Sequence, residues 1–166
     1  MILHVKRSLL LVILLMTSIS VNAFQSFETV GEGSMRWLFF QLYEAKLLSP
    51  DGVYEQSKWP LALELTYQRE IAKVDLVEAT KVEWQRMEVD YVAGWLEALV
   101  DFWPDVVKGD VLVFHVDESA VGRFYYNGEL IGKQQDEIFS SAFLSIWLSE
   151  QSRNQSLKNR LVGADK

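Results

Sequence analysis

Apolar positions along the chain recur with two different periods, and the places where one gives way to the other outline its elements. Residues 35–48 are rich in aromatic and aliphatic side chains, and Trp37, Leu38, Phe39 and Phe40 occupy both parities, which predicts a strand covered on both faces. Pro50-Asp51-Gly52 signals a turn. Residues 61–67 alternate, which predicts a strand with Leu61, Leu63, Leu65 and Tyr67 on its inner face. The period then lengthens. Asp75 and Glu78 have capping-box spacing, and Leu76, Ala79, Trp84 and Met87 follow at helical intervals. Tyr91, Val92, Trp95, Leu96, Leu99 and Phe102 form a second helical stripe that ends before Pro104. Such wide apolar faces need a sheet to cover. Residues 111–116 read as a buried strand, and residues 122–126 and 129–131 flank Asn127-Gly128, a strong hairpin signal. From Asp136, the stripe Ile138, Phe139, Ala142, Phe143, Ile146 and Trp147 predicts another helix, and a short polar one over 155–162 stops at Gly163.

The N-terminus has a different character. Lys6 and Arg7 precede the apolar run 9–16, and Val21-Asn22-Ala23 places small or β-branched residues where a signal peptidase reads. Residues 1–23 are therefore expected to be a secretory signal peptide, too short in its apolar core for the ~20 residues of a bilayer span. No cysteine follows to carry a lipid anchor. The expected location is outside the cytoplasm, the periplasm in a Gram-negative cell. One domain is expected over 24–163, since no repeat, low-complexity tract or linker divides it.

Composition narrows the partners. The 166 residues include no Cys but six Trp, nine Phe and six Tyr, so stability has to come from aromatic packing. Loss of Lys6 and Arg7 with the leader takes the net charge from −7 to −9. That acidity argues against nucleic acid, which needs a basic footprint, and against anionic lipid headgroups.

In order and spacing, several short motifs resemble those of the chalcone isomerase-like family, in particular its short exported bacterial branch. They are Gly31-x-Gly33-x-x-Arg36 with Tyr43-x-Ala45, Leu63-x-Leu65-x-Tyr67-x-Arg69, and Glu83-Trp84. Further along come Pro104-Asp105-Val106 with Gly109-Asp110, Phe124-Tyr125-x-Asn127-Gly128, and Phe139-x-x-Ala142-Phe143-x-x-Ile146-Trp147-Leu148. The resemblance spans about residues 29–161. It implies an α+β open-faced sandwich, a large antiparallel sheet covered by helices that enclose a ligand cleft. It also implies one of two activities. The plant enzymes close a chalcone into a flavanone with an Arg, Thr and Tyr hydroxyls and a bound water, whereas non-catalytic members bind fatty acids through an Arg and a Tyr.

The candidate ligand-binding residues are Arg36, Tyr43, Tyr67 and Ser140. Arg36 shares strand parity with Leu38, Phe40 and Leu42 if no bulge intervenes, and a guanidinium on an apolar face calls for an anion. The bland alternative is an exposed start of the strand or a pairing with Glu64. Tyr43 and Tyr67 fall on strands that the resemblance places at the cleft floor, where a phenol donates to a carboxylate or an enone oxygen; a core-filling role is the alternative. Ser140 matches a small hydroxyl at the start of the family's cleft helix, or simply serves the backbone. The enzymes' threonine has no counterpart, since the matching position is Phe39.

Other features carry less. His115 among valines reads as a satisfied core residue, and with no second His, Cys or acid at ligand spacing no metal and no cofactor are expected. Gly31-Glu32-Gly33 lacks the last glycine and the helix of a nucleotide loop and reads as a bend or close backbone approach. Asp101 and Asp105 dress a turn, and Asn154-Gln155-Ser156 is a formal glycosylation acceptor. The leading expectation is a non-catalytic carrier or sensor for a fatty acid or similar amphiphilic acid. A chalcone isomerase-type intramolecular lyase is the alternative, and an exported interaction scaffold, with no protein partner named, is a third.

Overall fold

In the computed structural model, residues 24–164 are described, and the predicted leader lies outside them. Six strands form one antiparallel sheet in the order of the chain: β1 (Glu28–Trp37), β2 (Phe40–Ser49), β3 (Leu61–Tyr67), β4 (Val111–Val116), β5 (Gly122–Tyr126) and β6 (Glu129–Gln134). Helices α1 (Lys73–Arg86) and α2 (Ala93–Phe102) lie between β3 and β4, and α3 (Glu137–Leu148) and α4 (Gln155–Leu161) follow β6.

Strand periodicity decides which face the helices cover. Leu61, Leu63, Leu65 and Tyr67 of β3 are all buried in the main core, as their alternation predicts, together with Leu112, Phe114 and Val116 of β4. Against them pack Phe124 and the rings of Phe139 and Phe143 from α3, in mostly edge-to-face contacts at 4.6–6.2 Å. The opposite face is thinner. There Leu48, Ala62, Val113 and Tyr125 are covered by Phe24 and Phe27, beside a half-buried Lys46–Glu64 pair at 3.9 Å. His115 lies on this face, 5.5 and 5.8 Å from the rings of Phe24 and Phe27. It is buried, but its Nδ1 has no hydrogen-bond partner among the described residues, so within them it is a core residue that is not satisfied.

Helix α4 lies directly on β1. The reason is Gly31, where a Cβ would sit 1.9 Å from the carbonyl oxygen of Arg160. The glycine pair therefore serves a close backbone approach, within a strand rather than at a bend. Helix α1 packs chiefly on α2 and α3. Its Trp84 ring is buried between Trp95 and Phe139, and its indole N–H donates to the Ala142 carbonyl at 3.0 Å. The capping box expected at its start does not form. Ala72 is the N-cap residue and provides no side-chain cap; instead the Asp105 carboxylate accepts from the Lys73 amide at 2.8 Å. Asp136 and Asn154 do cap α3 and α4.

The expected single strand over 35–48 is corrected to a hairpin. The chain reverses at Leu38 and Phe39, with Leu38 at φ 54°, and Trp37, Leu38, Phe39 and Phe40 are exposed instead of doubly covered. No residue in that turn belongs to the usual turn formers. The Asn127-Gly128 hairpin forms as expected, with both residues at positive φ.

Candidate functional site

Small residues on one face of α1 leave space beneath it. Ala79 and Thr80 look across to the inner face of β1–β4, and a cavity of about 780 Å³ opens between them. Its floor comes from Met35, Tyr43, Leu65, Tyr67 and Leu112, and its far wall from Phe143, Ile146 and Trp147 of α3. Leu76 and Ala79, expected in the α1 core stripe, border this opening, whereas Trp84 and Met87 are buried.

Tyr43 and Tyr67 are brought together. They are cross-strand partners on β2 and β3, with ring centroids 6.0 Å apart in an edge contact. The Tyr43 oxygen accepts from the Trp147 indole N–H at 2.9 Å, so its own proton remains for the cavity. The Tyr67 hydroxyl makes no hydrogen bond to any described residue, although the residue is 2 % exposed. Burial pushes the Tyr43 phenol up to about 12, against the opposing effect of the Trp147 bond, and raises Tyr67 further. Both are therefore neutral donors at physiological pH. Trp103, which also lines the cavity, keeps its buried indole N–H without a partner among the described residues.

The other two candidates lie elsewhere. Arg36 is exposed on the far end of β1 and is not among the lining residues. The strand parity that aimed it inward is broken by a register shift between Met35 and Arg36, where the partner changes from Tyr43 to Gln41. Nor does it pair with Glu64, whose partner is Lys46. Ser140 is fully buried and donates to the Ala120 carbonyl at 3.0 Å, away from the cavity lining. Its role is to hold the 117–122 turn against α3.

Two arginines do border the cavity, Arg69 and Arg153. Arg153 is spent on Glu83 at 2.7 Å, an acid that Arg86 also engages. Arg69 forms no ion pair with a described residue and instead lies 5.3 Å from the Phe40 ring centre. It stands two residues beyond Tyr67, in the bend that follows β3, and lines the cavity from there. Asn154, the formal glycosylation acceptor, lines the cavity while its Oδ1 caps α4 and its Nδ2 meets the Met35 sulfur. Among the described residues no cluster of His, Cys, Asp or Glu is arranged to hold a metal ion.

Comparison with known proteins agrees with this architecture. An uncharacterized protein of Haemophilus influenzae is 25 % identical over 160 residues, covering 94 % of this chain and 78 % of that protein. The crystal structure of AtFAP1, a fatty-acid binding protein of Arabidopsis thaliana, superposes with a TM-score of 0.66 at 10 % identity, covering 84 % of this chain and 88 % of that one. The fold is thus shared with it. Residues 18–163 match the family described as chalcone isomerase-like, and with the whole described sheet and all four helices inside that match, the chain belongs to this family.

Proposed function

We propose that the protein is an exported, non-catalytic carrier or sensor that binds a fatty acid or similar amphiphilic acid in the cavity under α1. The observation that carries this reading is a roomy, mainly apolar cavity in which two phenols with unspent protons lie with Arg69, a lining arginine that, unlike Arg153, has no acidic partner among the described residues, although Glu70, Asp75, Glu78 and Glu83 also border the opening. Its volume of about 780 Å³ lies within the ~300–1,000 Å³ typical of small-ligand sites. A carboxylate placed between Arg69 and the two tyrosines would receive charge-assisted hydrogen bonds, while its hydrocarbon chain lies along Leu65, Leu112, Phe143 and Ile146. Arg69 takes the role that the sequence assigned to Arg36. The fatty-acid binding of the superposable plant protein supports the same choice of ligand class.

The isomerase reading gains nothing from the geometry. Phe39, which occupies the place of the enzymes' threonine, stands on the hairpin turn at 90 % exposure and does not line the cavity. Export rests on the order of basic, apolar and small residues in the first 23 positions. Extraction of the protein purified from its native compartment, followed by mass spectrometry, tests the proposal. A long-chain carboxylic acid bound to the wild type and lost from a folded Arg69→Gln variant is expected, and a chain starting at Phe24 is expected from the intact mass. A wild type that carries no acid and takes none up counts against it.

A further inference from the structure

Four consecutive apolar side chains close the β1–β2 hairpin in open solvent. Trp37, Leu38, Phe39 and Phe40 are 63, 72, 90 and 57 % exposed. A soluble surface seldom shows so much contiguous aromatic area without a partner to cover it. The shape matters as much as the chemistry, because a tight two-residue turn is convex. A convex apolar tip has no groove to receive a partner's side chain, but it inserts readily into the boundary between lipid headgroups and acyl chains, where Trp and Phe are favoured.

Charge near the tip departs from the acidic average of the chain. Arg36 is exposed on the strand leading into Trp37, and Arg69 lies against the Phe40 ring; neither forms an ion pair with a described residue. Of the acids close in sequence, Glu44 accepts a hydrogen bond from Gln41 at 3.2 Å, and Glu70 lines the cavity. Two guanidinium groups therefore sit at the base of the apolar tip, the level at which lipid phosphates would lie. The tip is also continuous with the cavity, since Trp37, Leu42 and Arg69 belong to its lining. Among the described residues no helix is long and apolar enough to cross a membrane.

We propose that residues 37–40 dock the protein on a phospholipid bilayer, with Arg36 against the phosphates and the cavity mouth, where Arg69 lies, facing the lipid. Docking stands by itself; passage of an amphiphilic acid between bilayer and cavity rests on the carrier reading.

Vesicles of phosphatidylcholine, with and without phosphatidylglycerol, provide the test, using the chain from Phe24 onward, which contains every described element. The wild type is expected to co-sediment and to show a blue shift in tryptophan emission. Leu38→Ser/Phe39→Ser is expected to lower partitioning about tenfold or more, because two large side chains no longer enter the lipid. Neither residue lines the cavity, so titration with a soluble fatty acid should be unchanged, and an unchanged melting temperature shows that the variant is folded. Arg36→Gln should weaken binding to phosphatidylglycerol vesicles more than to phosphatidylcholine alone. A wild type that ignores both vesicles overturns the proposal, as does a double variant that partitions equally well. So does a dimer that the double variant dissociates, with no vesicle binding, since the tip would then be a subunit contact. Vesicle binding without fatty-acid uptake would uphold docking and refute the carrier reading.

Discussion

The Trp147 indole N–H donates to the Tyr43 hydroxyl at 2.9 Å across 104 residues of sequence, and this bond ties α3 to the second strand along the cavity wall. It fixes the ring of Tyr43 and leaves its proton free for a ligand. Tyr43→Phe strands the indole donor and should cost about 1–3 kcal/mol. A double-mutant cycle with Trp147→Phe should return a coupling of about 1 kcal/mol by chemical denaturation, and additive losses would show that the bond does not hold the wall together.

Ionisation of the two cavity tyrosines should appear only at high pH. The folded Tyr43 is pushed up to about 12 from an ordinary 10, chiefly by burial, and Tyr67 is raised as well. Above about pH 10 the unfolded chain releases phenol protons that the fold retains, so the contribution of these two tyrosines to stability is constant below 10 and falls towards 12. Denaturation midpoints across that range check it. Tyr43→Phe/Tyr67→Phe should flatten the decline. Between pH 6 and 9, affinity for a carboxylate ligand should not follow any tyrosine titration.

His115 predicts a change at the other end of the scale. Burial, reinforced by the Arg123 charge and opposed by Asp117 and Glu118, holds its imidazole below the ordinary 6.5. Below pH 6.5 the unfolded chain binds a proton that the fold refuses, so stability is intact above that value and is lost as pH falls through the lowered folded value. His115→Leu should remove that part of the acid slope. If the slope persists unchanged, the clasp of Phe24 and Phe27 over His115 is not tight enough to exclude water.

Gly31→Ala is expected to be disproportionately costly for one methyl group. The new carbon would lie 1.9 Å from the Arg160 carbonyl oxygen and 2.7 Å from that of Leu161, both backbone atoms. Helix α4 would have to move, at about 1–3 kcal/mol, and Leu157 would move with it out of the cavity wall. Gly94→Ala in α2 meets nothing within 4 Å and should be neutral or stabilising by up to about 1 kcal/mol. Thermal melts of the two variants make the comparison.

Local signals explain which parts of this architecture could be read from the chain. Alternation fixed the inner face of β3, Asn127-Gly128 the β5–β6 hairpin, and Asp136 and Gly163 the ends of the last two helices. Failures occurred where distant residues or backbone irregularities decide. The cap of α1 comes from Asp105, 32 positions away. The turn at Leu38 and Phe39 has no turn-forming residue, so an exposed tip resembled a buried run. Parity counting aims Arg36 at the cleft, but a single register shift invalidates the count, and Arg69 reaches the cavity from the bend after β3, where no alternation marks it. Tyr43 and Tyr67 are singled out by the family resemblance, which puts their strands at the cleft floor, and their cross-strand pairing places both on the floor of the cavity. The Trp147 bond that orients one of them had no local signature.

The most direct test is a calorimetric comparison of a long-chain fatty acid with its methyl ester, in the wild type and in Arg69→Gln. If the acid's carboxylate meets Arg69 and the two phenols, the wild type will prefer the acid by about tenfold or more, a charge-assisted hydrogen bond being worth roughly 1.5–3 kcal/mol. In Arg69→Gln that preference should collapse while the ester binds as before. Equal binding of acid and ester by the wild type, or an undiminished preference in the variant, would contradict the account.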